Sequence, residues 1–211
     1  MRGAPVASES RRVNFRILQY PLDQGALEIQ YIEEYFGEFD RKKTAAEIVR
    51  RLANRPHLIL LATAPLPDDP ETIVPVAFKV SHQIFPEERE PKLVDLVARL
   101  RDSVNFDDRR VLYSWIGGTR RDWRGQGHFR ALTESQERWA LGEGFHEIVV
   151  KTKNRFYAMR ATLDRLRFEV IKYERNPDDN AESKVYMSKK LQRRLLAEHR
   201  SAHAFVKVSA Y

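Results

Sequence analysis

Apolar residues recur along this chain with two periods, and the changes between them outline its elements. Val13–Tyr20 is apolar enough for a first strand, and Ile29, Ile32, Phe36 and Phe39 then repeat at helical spacing after Pro21. Thr44-Ala45-Ala46-Glu47 has the form of a capping box and predicts a second helix, with Ile48, Val49 and Leu52 inward and Pro56 beyond its end. His57–Ala64 is a continuous apolar run, as in a buried strand. After the turn Pro65–Pro70 the chain returns through Thr72–Phe85, where Pro75 predicts a bulge or an edge.

Pro86–Arg110 carries the helical pattern Leu93, Leu96, Val97, Leu100 and Val104, an insertion before the strand Leu112–Gly117. Phe129, Leu132 and Trp139 mark a further helix. Glu147–Thr152 reads as a strand, and Phe156, Met159, Leu163 and Leu166 as the inner face of the helix after it. Phe168–Tyr173 and Lys184–Ser188 form two closing strands around the turn Asn176–Asp179, and Lys189–Arg200 is expected to be a terminal helix. The order β-α-α-β-β-(α)-β-α-β-α-β-β implies a single α/β domain with a mixed sheet over residues 13–191. Residues 1–12 are expected to be a disordered tail and residues 192–211 a C-terminal extension.

Composition narrows the classes. With 211 residues the chain suits one well-cored domain. It has no cysteine, which removes disulfides, thiolate metal sites and a cysteine nucleophile. No apolar run approaches membrane-spanning length and Met1–Arg12 lacks a signal-like apolar stretch, so a cytoplasmic protein without a membrane partner is expected. The net charge of +7 favours anionic ligands. Its basic residues are interleaved with Asp and Glu, and no stripe of aromatic and basic residues suggests nucleic acid. His199 and His203 have helical metal-ligand spacing but no acidic companion, so no metal site is assigned.

The chemistry concentrates in Trp123-Arg124-Gly125-Gln126-Gly127-His128-Phe129, which follows the strand Val111-Leu112-Tyr113-Ser114-Trp115-Ile116-Gly117-Gly118-Thr119. A glycine-rich loop opening a helix offers unpaired N–H groups and the positive end of a helix dipole to a phosphate. A Walker A loop would need Lys-Ser or Lys-Thr after Gly127, where His128-Phe129 stand. A Rossmann fingerprint would need glycine at Arg130 and an acid where Thr152 stands.

Arg124, Gly127 and Phe129 instead fall on the Arg/Gln-x-x-Gly-x-Gly/Ala pattern of the GNAT (GCN5-related) N-acetyltransferases, which the chain resembles from Val13 to Leu191. Tyr113–Gly118, Lys151–Phe156 and Leu166-Arg167-Phe168 also stand where such proteins carry comparable residues. Two positions depart from the pattern: Phe129 replaces a small residue, and Arg167 replaces a glycine. The resemblance implies a GNAT-type α/β fold, a mostly antiparallel mixed sheet flanked by helices. It also implies acetyl-CoA as co-substrate. The amides of Gly125, Gln126, Gly127, His128 and Phe129, with the Arg124 side chain, would then hold the pyrophosphate. Gly117, Gly118, Thr119 and Asn154 would contact the pantetheine arm.

The implied reaction is attack of a primary amine, on a small molecule or a peptide, upon the thioester. An alkyl amine is neutral in only about one molecule in 10³ at pH 7, so it must lose a proton first. Strand N–H groups near Ile116–Gly118 are candidates for the oxyanion. Many GNAT enzymes protonate the thiolate with a Tyr, but the corresponding position here is Leu163. Tyr113 or Ser114 is expected to face the acyl group; His82 is a further candidate base, or else a strand residue facing solvent. A non-catalytic module that binds acyl-CoA or a partner is the alternative to an enzyme. The oligomeric state is open, a homodimer included.

Overall fold

Among the described residues the helices are amphipathic, and each lies on one face of a sheet whose inner strands are largely buried. The computed structural model describes residues 14–22, 30, 32–33 and 43–191. The expected first tail, most of the first helix and the C-terminal extension lie outside them.

Seven strands run in the order β1-β2-β3-β4-β5-β7-β6. They are β1 Arg16–Tyr20, β2 His57–Pro65, β3 Ile73–Ile84, β4 Val111–Thr119, β5 Glu147–Lys153, β6 Glu169–Glu174 and β7 Lys184–Lys190. Every neighbouring pair is antiparallel except β4 and β5. The bulge predicted at Pro75 is present: Ala62 faces Ala77 and Thr63 faces Pro75, leaving Val76 as the extra residue.

Helices α1 (Ala45–Leu52) and α2 (Pro91–Leu100) cover one face. The capping box of α1 forms as predicted: Glu47 N donates to Thr44 Oγ1, and Thr44 N donates to the Glu47 carboxylate, both at 3.1 Å. Its Ile48 and Leu52 pack on Ile59, Leu61, Phe78 and Val80. From the expected insertion comes α2, which buries Leu93, Leu96, Val97 and Leu100 against Tyr113, Val149 and Tyr186. Helices α3 (His128–Gly142) and α4 (Tyr157–Arg165) cover the other face. There Leu112, Ile148 and Val150 meet Ala140 and Leu163, while Leu58, Leu60 and Ala62 meet Trp123 and Leu132. The expected terminal helix does not begin at Lys189. Lys189 and Lys190 complete β7, because Lys189 turns its ammonium inward onto Glu137 of α3.

Candidate functional site

Strands β4 and β5 pair over only four residues each, from Val111 with Glu147 to Ser114 with Val150. Beyond that point β4 stays with β3, through Thr119 opposite Ala77, and β5 stays with β7, through Lys153 opposite Lys184. The two strands therefore separate into a fork. Its β4 arm begins at a bulge, since Ser81 faces Ser114 and Val80 faces Ile116, leaving Trp115 without a partner on β3.

The β4 arm leads into the glycine-rich loop. A 3-10 turn spans Arg121–Trp123, and α3 starts directly after Gly127. Gly125 and Gly127 have φ of +79° and +88°, the left-handed region that side chains with a Cβ enter at a cost. No side chain caps the start of α3, so the amides at its first turn point outward unclaimed by any cap. Arg124 Nε donates to Thr119 O at 3.1 Å, tying the loop to the end of β4. Gln126 Nε2 donates to Asp122 O at 3.2 Å. Gly117 is close-packed rather than strained: a Cβ there would lie 3.1 Å from Phe78 O.

His128 turns away from the loop's open side. Its ring is buried against Phe15 and Trp123, and burial holds its pKa below the ordinary histidine value. Phe129 packs its ring against the core between α3, α4 and the sheet. Of these two residues only the amides are placed at the opening of the helix. Asn154 is spent within the fold: Nδ2 donates to Asn180 O at 3.1 Å, Oδ1 accepts from Arg160, and its N–H donates to Ser183 O. It does not cap α4, whose N-cap is Phe156.

Tyr113 and Ser114 lie on opposite faces of β4, as alternation requires. Tyr113 is buried under α2, which raises its hydroxyl to about 12. His82 stands opposite it on β3 and is fully buried rather than open to solvent, its ring 5.6 Å from those of Tyr113 and Trp115. Burial lowers the His82 pKa to about 3, so the ring is neutral at neutral pH. The Arg51 guanidinium covers Trp115 at 4.6 Å and pairs with Glu90. Leu163 is fully buried, and Tyr157 is 63% exposed at the start of α4.

Three lysines on the sheet were announced by no motif in the sequence. Lys151 follows the last β4–β5 pair, half-buried beside the Tyr186 ring, and burial lowers its pKa. Lys79 and Lys189 are lysines fully enclosed under α3. The signal for Lys79 was its place inside the apolar run Val76-Ala77-Phe78-Lys79-Val80, an unusual setting for a lysine. Among the described residues no group of acidic, His or Cys side chains could hold a metal ion, and no helix is long and apolar enough to cross a membrane.

No protein-family profile and no curated protein matches the sequence. Solved structures do match. NAA60 of Arabidopsis thaliana, in complex with acetyl-CoA, superposes with a TM-score of 0.61 at 12% identity, over 83% of this chain and 99% of its own. A protein of Desulfovibrio desulfuricans assigned to the GNAT family gives 0.56 at 14%, over 85% and 100%. This is the GNAT fold. The ribosomal-protein-S18-alanine N-acetyltransferase of Escherichia coli shares it at a TM-score of 0.54 and 14% identity, over 84% of this chain and 95% of that one. At such identities the likeness establishes the architecture, and function has to be argued from the site.

Proposed function

We propose that this protein is an acetyl-CoA-dependent N-acetyltransferase acting on a primary amine of a small molecule or a peptide. The fork between β4 and β5, opening directly onto the uncapped start of α3, carries this reading. Such a fork offers backbone groups along one strand and ends on a dipole suited to phosphate. Two GNAT-fold neighbours are described as bound to acetyl-CoA or to CoA and a Gag peptide.

The residues fit the group. The amides from Gly125 to Phe129 and the Arg124 side chain would hold the pyrophosphate, and the backbone of Gly117, Gly118 and Thr119 the pantetheine arm. Asn154 would bear on that arm only by shaping the β5 end of the fork, since its side chain is already bonded. When bound, the co-substrate supplies the activated acetyl thioester. N–H groups of Ile116–Gly118 would stabilise the oxyanion that develops on amine attack. Lys151 would take the proton of the incoming ammonium, a role its partial burial supports by favouring the neutral form. Tyr113 and His82, buried together behind Trp115, would shape the acceptor side rather than exchange protons.

A second reading, a module that binds acyl-CoA without turnover, is favoured by the buried Leu163 where a thiolate acid is expected. A thermal titration with acetyl-CoA tests the cofactor, since ligand at 100 times its Kd adds about 2.7 kcal/mol. The shift is expected in the wild type and lost in Gly127→Trp. Absence of a wild-type shift rejects the cofactor. Thiol release across an amine panel then separates enzyme from module.

A further inference from the structure

Beneath the first three turns of α3 the buried charges do not balance. Glu137 is fully buried and its Oε2 lies 2.7 Å from Lys189 Nζ, so these two neutralise each other. Lys79 is enclosed with them at 2% exposure, yet it has no hydrogen bond or ion pair among the described residues. Its ammonium lies 4.6 Å from the centre of the Phe129 ring, whose amide belongs to the first turn of α3. Its stem crosses the face of Gly117, where a Cβ would stand 3.7 Å from Lys79 Cγ. Two buried lysines thus lie near one carboxylate, and Lys79, the one without an ion pair, holds its ammonium beside the ring of Phe129 in the first turn of α3.

An ammonium is not kept in a protein interior without a counter-charge unless it gives up its proton or an anion arrives. The start of α3 is where an anion arrives: its amides are uncapped and its dipole is positive. We infer that Lys79 is the concealed cation of this cradle, pairing electrostatically with the phosphate groups bound at the start of α3, so that ligand binding and protonation of Lys79 reinforce each other. The identity of the anion rests on the cofactor reading above; the charge imbalance does not.

Burial lowers the free Lys79 pKa to about 7, and among the described residues Glu137 is the charge that acts on it, partly opposing that shift. The other ionisable groups on the packed elements are already engaged. Lys189 of β7 is held by Glu137, and Glu134 of α3 by Arg130. His128 donates Nδ1–H to Trp123 O, and its pKa lies below the ordinary 6.5, so it is neutral above pH 7. An approaching phosphate raises the Lys79 pKa. Affinity is therefore full below pH 7 and falls as pH rises, by at most about tenfold per unit.

The test measures dephospho-CoA, which lacks the titrating 3′-phosphate, by calorimetry between about pH 6.5 and 8.5 on wild type, Lys79→Met and Lys79→Arg. Wild-type affinity should weaken several-fold over that range with uptake of up to about one proton. Lys79→Met should bind weakly and independently of pH, and Lys79→Arg tightly and independently of pH. A flat wild-type profile without proton uptake overturns the inference, as does a Lys79→Met profile that follows wild type. Should the variants fail to fold, proton uptake by wild type in buffers of different ionisation enthalpy decides alone. Sulfate separates the two readings. If dephospho-CoA does not bind but sulfate stabilises the wild type more at low pH, and Lys79→Met does not show this, the anion site stands and the CoA reading falls. If neither binds, both fall.

Discussion

The imidazole of His128 donates its Nδ1–H to the carbonyl oxygen of Trp123 across 3.1 Å, so the first side chain of α3 grips the last residue of the turn before it. Arg124–Gly127 is the span enclosed by this clasp, which acts together with the bonds from Arg124 to Thr119 and from Gln126 to Asp122. His128→Ala should weaken CoA binding by about tenfold although no His128 side-chain atom faces the ligand, because an unfastened loop must be ordered on binding. His128→Asn, which keeps a donor near Nδ1, should recover part of the loss. Titration calorimetry on the two variants checks both.

His82 makes the fold sensitive to acid. Its pKa is about 3 in the folded protein against 6.5 ordinarily, so the unfolded chain binds the extra proton between those values. Stability is then intact above pH 6.5 and falls with acidification, by up to about 1.4 kcal/mol per unit. His82→Phe, which keeps a ring beside Tyr113 and Trp115, should flatten that slope. Denaturant melts at pH 7 and 5 would show it, and parallel curves for the two proteins would contradict it.

Breaking the Glu137–Lys189 pair from one side leaves a buried charge unanswered. Lys189→Ala should cost about 3–5 kcal/mol, whereas the double variant Glu137→Leu/Lys189→Leu should lie within about 1 kcal/mol of wild type or above it. Urea unfolding of the two variants and the wild type at about pH 8 measures this above the Lys79 transition.

Arg167 has φ of +63° in the turn between α4 and Phe168. The glycine of the family pattern at this position answers a left-handed backbone, and the arginine adopts it under strain. Arg167→Gly should gain about 0.5–1 kcal/mol in chemical denaturation, the relief of strain outweighing glycine's entropy.

The sheet was legible in the sequence because its inner strands are nearly continuous apolar runs, broken by proline, glycine and acidic turns. The capping box at Thr44–Glu47 and the bulge at Pro75 are local chemistry and could be read directly. What escaped depends on tertiary pairing. Lys189 looks like the polar opening of a helix until Glu137 is brought beside it, and no pattern along the chain announces that meeting. Alternation placed Tyr113 and Ser114 on opposite faces, but only the arrival of α2 decided that the tyrosine would be sealed in. His82 belongs to the same class: a histidine in a strand is read as exposed until Tyr113 and Trp115 close over it.

A sheet of seven strands ordinarily has two edges, and this one has four. Past Ser114 and Val150 the inner sides of β4 and β5 are raw edges in the middle of the molecule, each supported by a ladder on its outer side only. Exposed edges invite foreign strands, and at the rim of a sheet proteins blunt them with charge or bulges. Here the bulge at Trp115 and the glycines at 117 and 118 do that work from within, offering an intruding peptide an irregular edge and few side chains to pack against. A gap that would suit a narrow, flexible ligand is thereby also poorly suited to pairing with another copy of the chain.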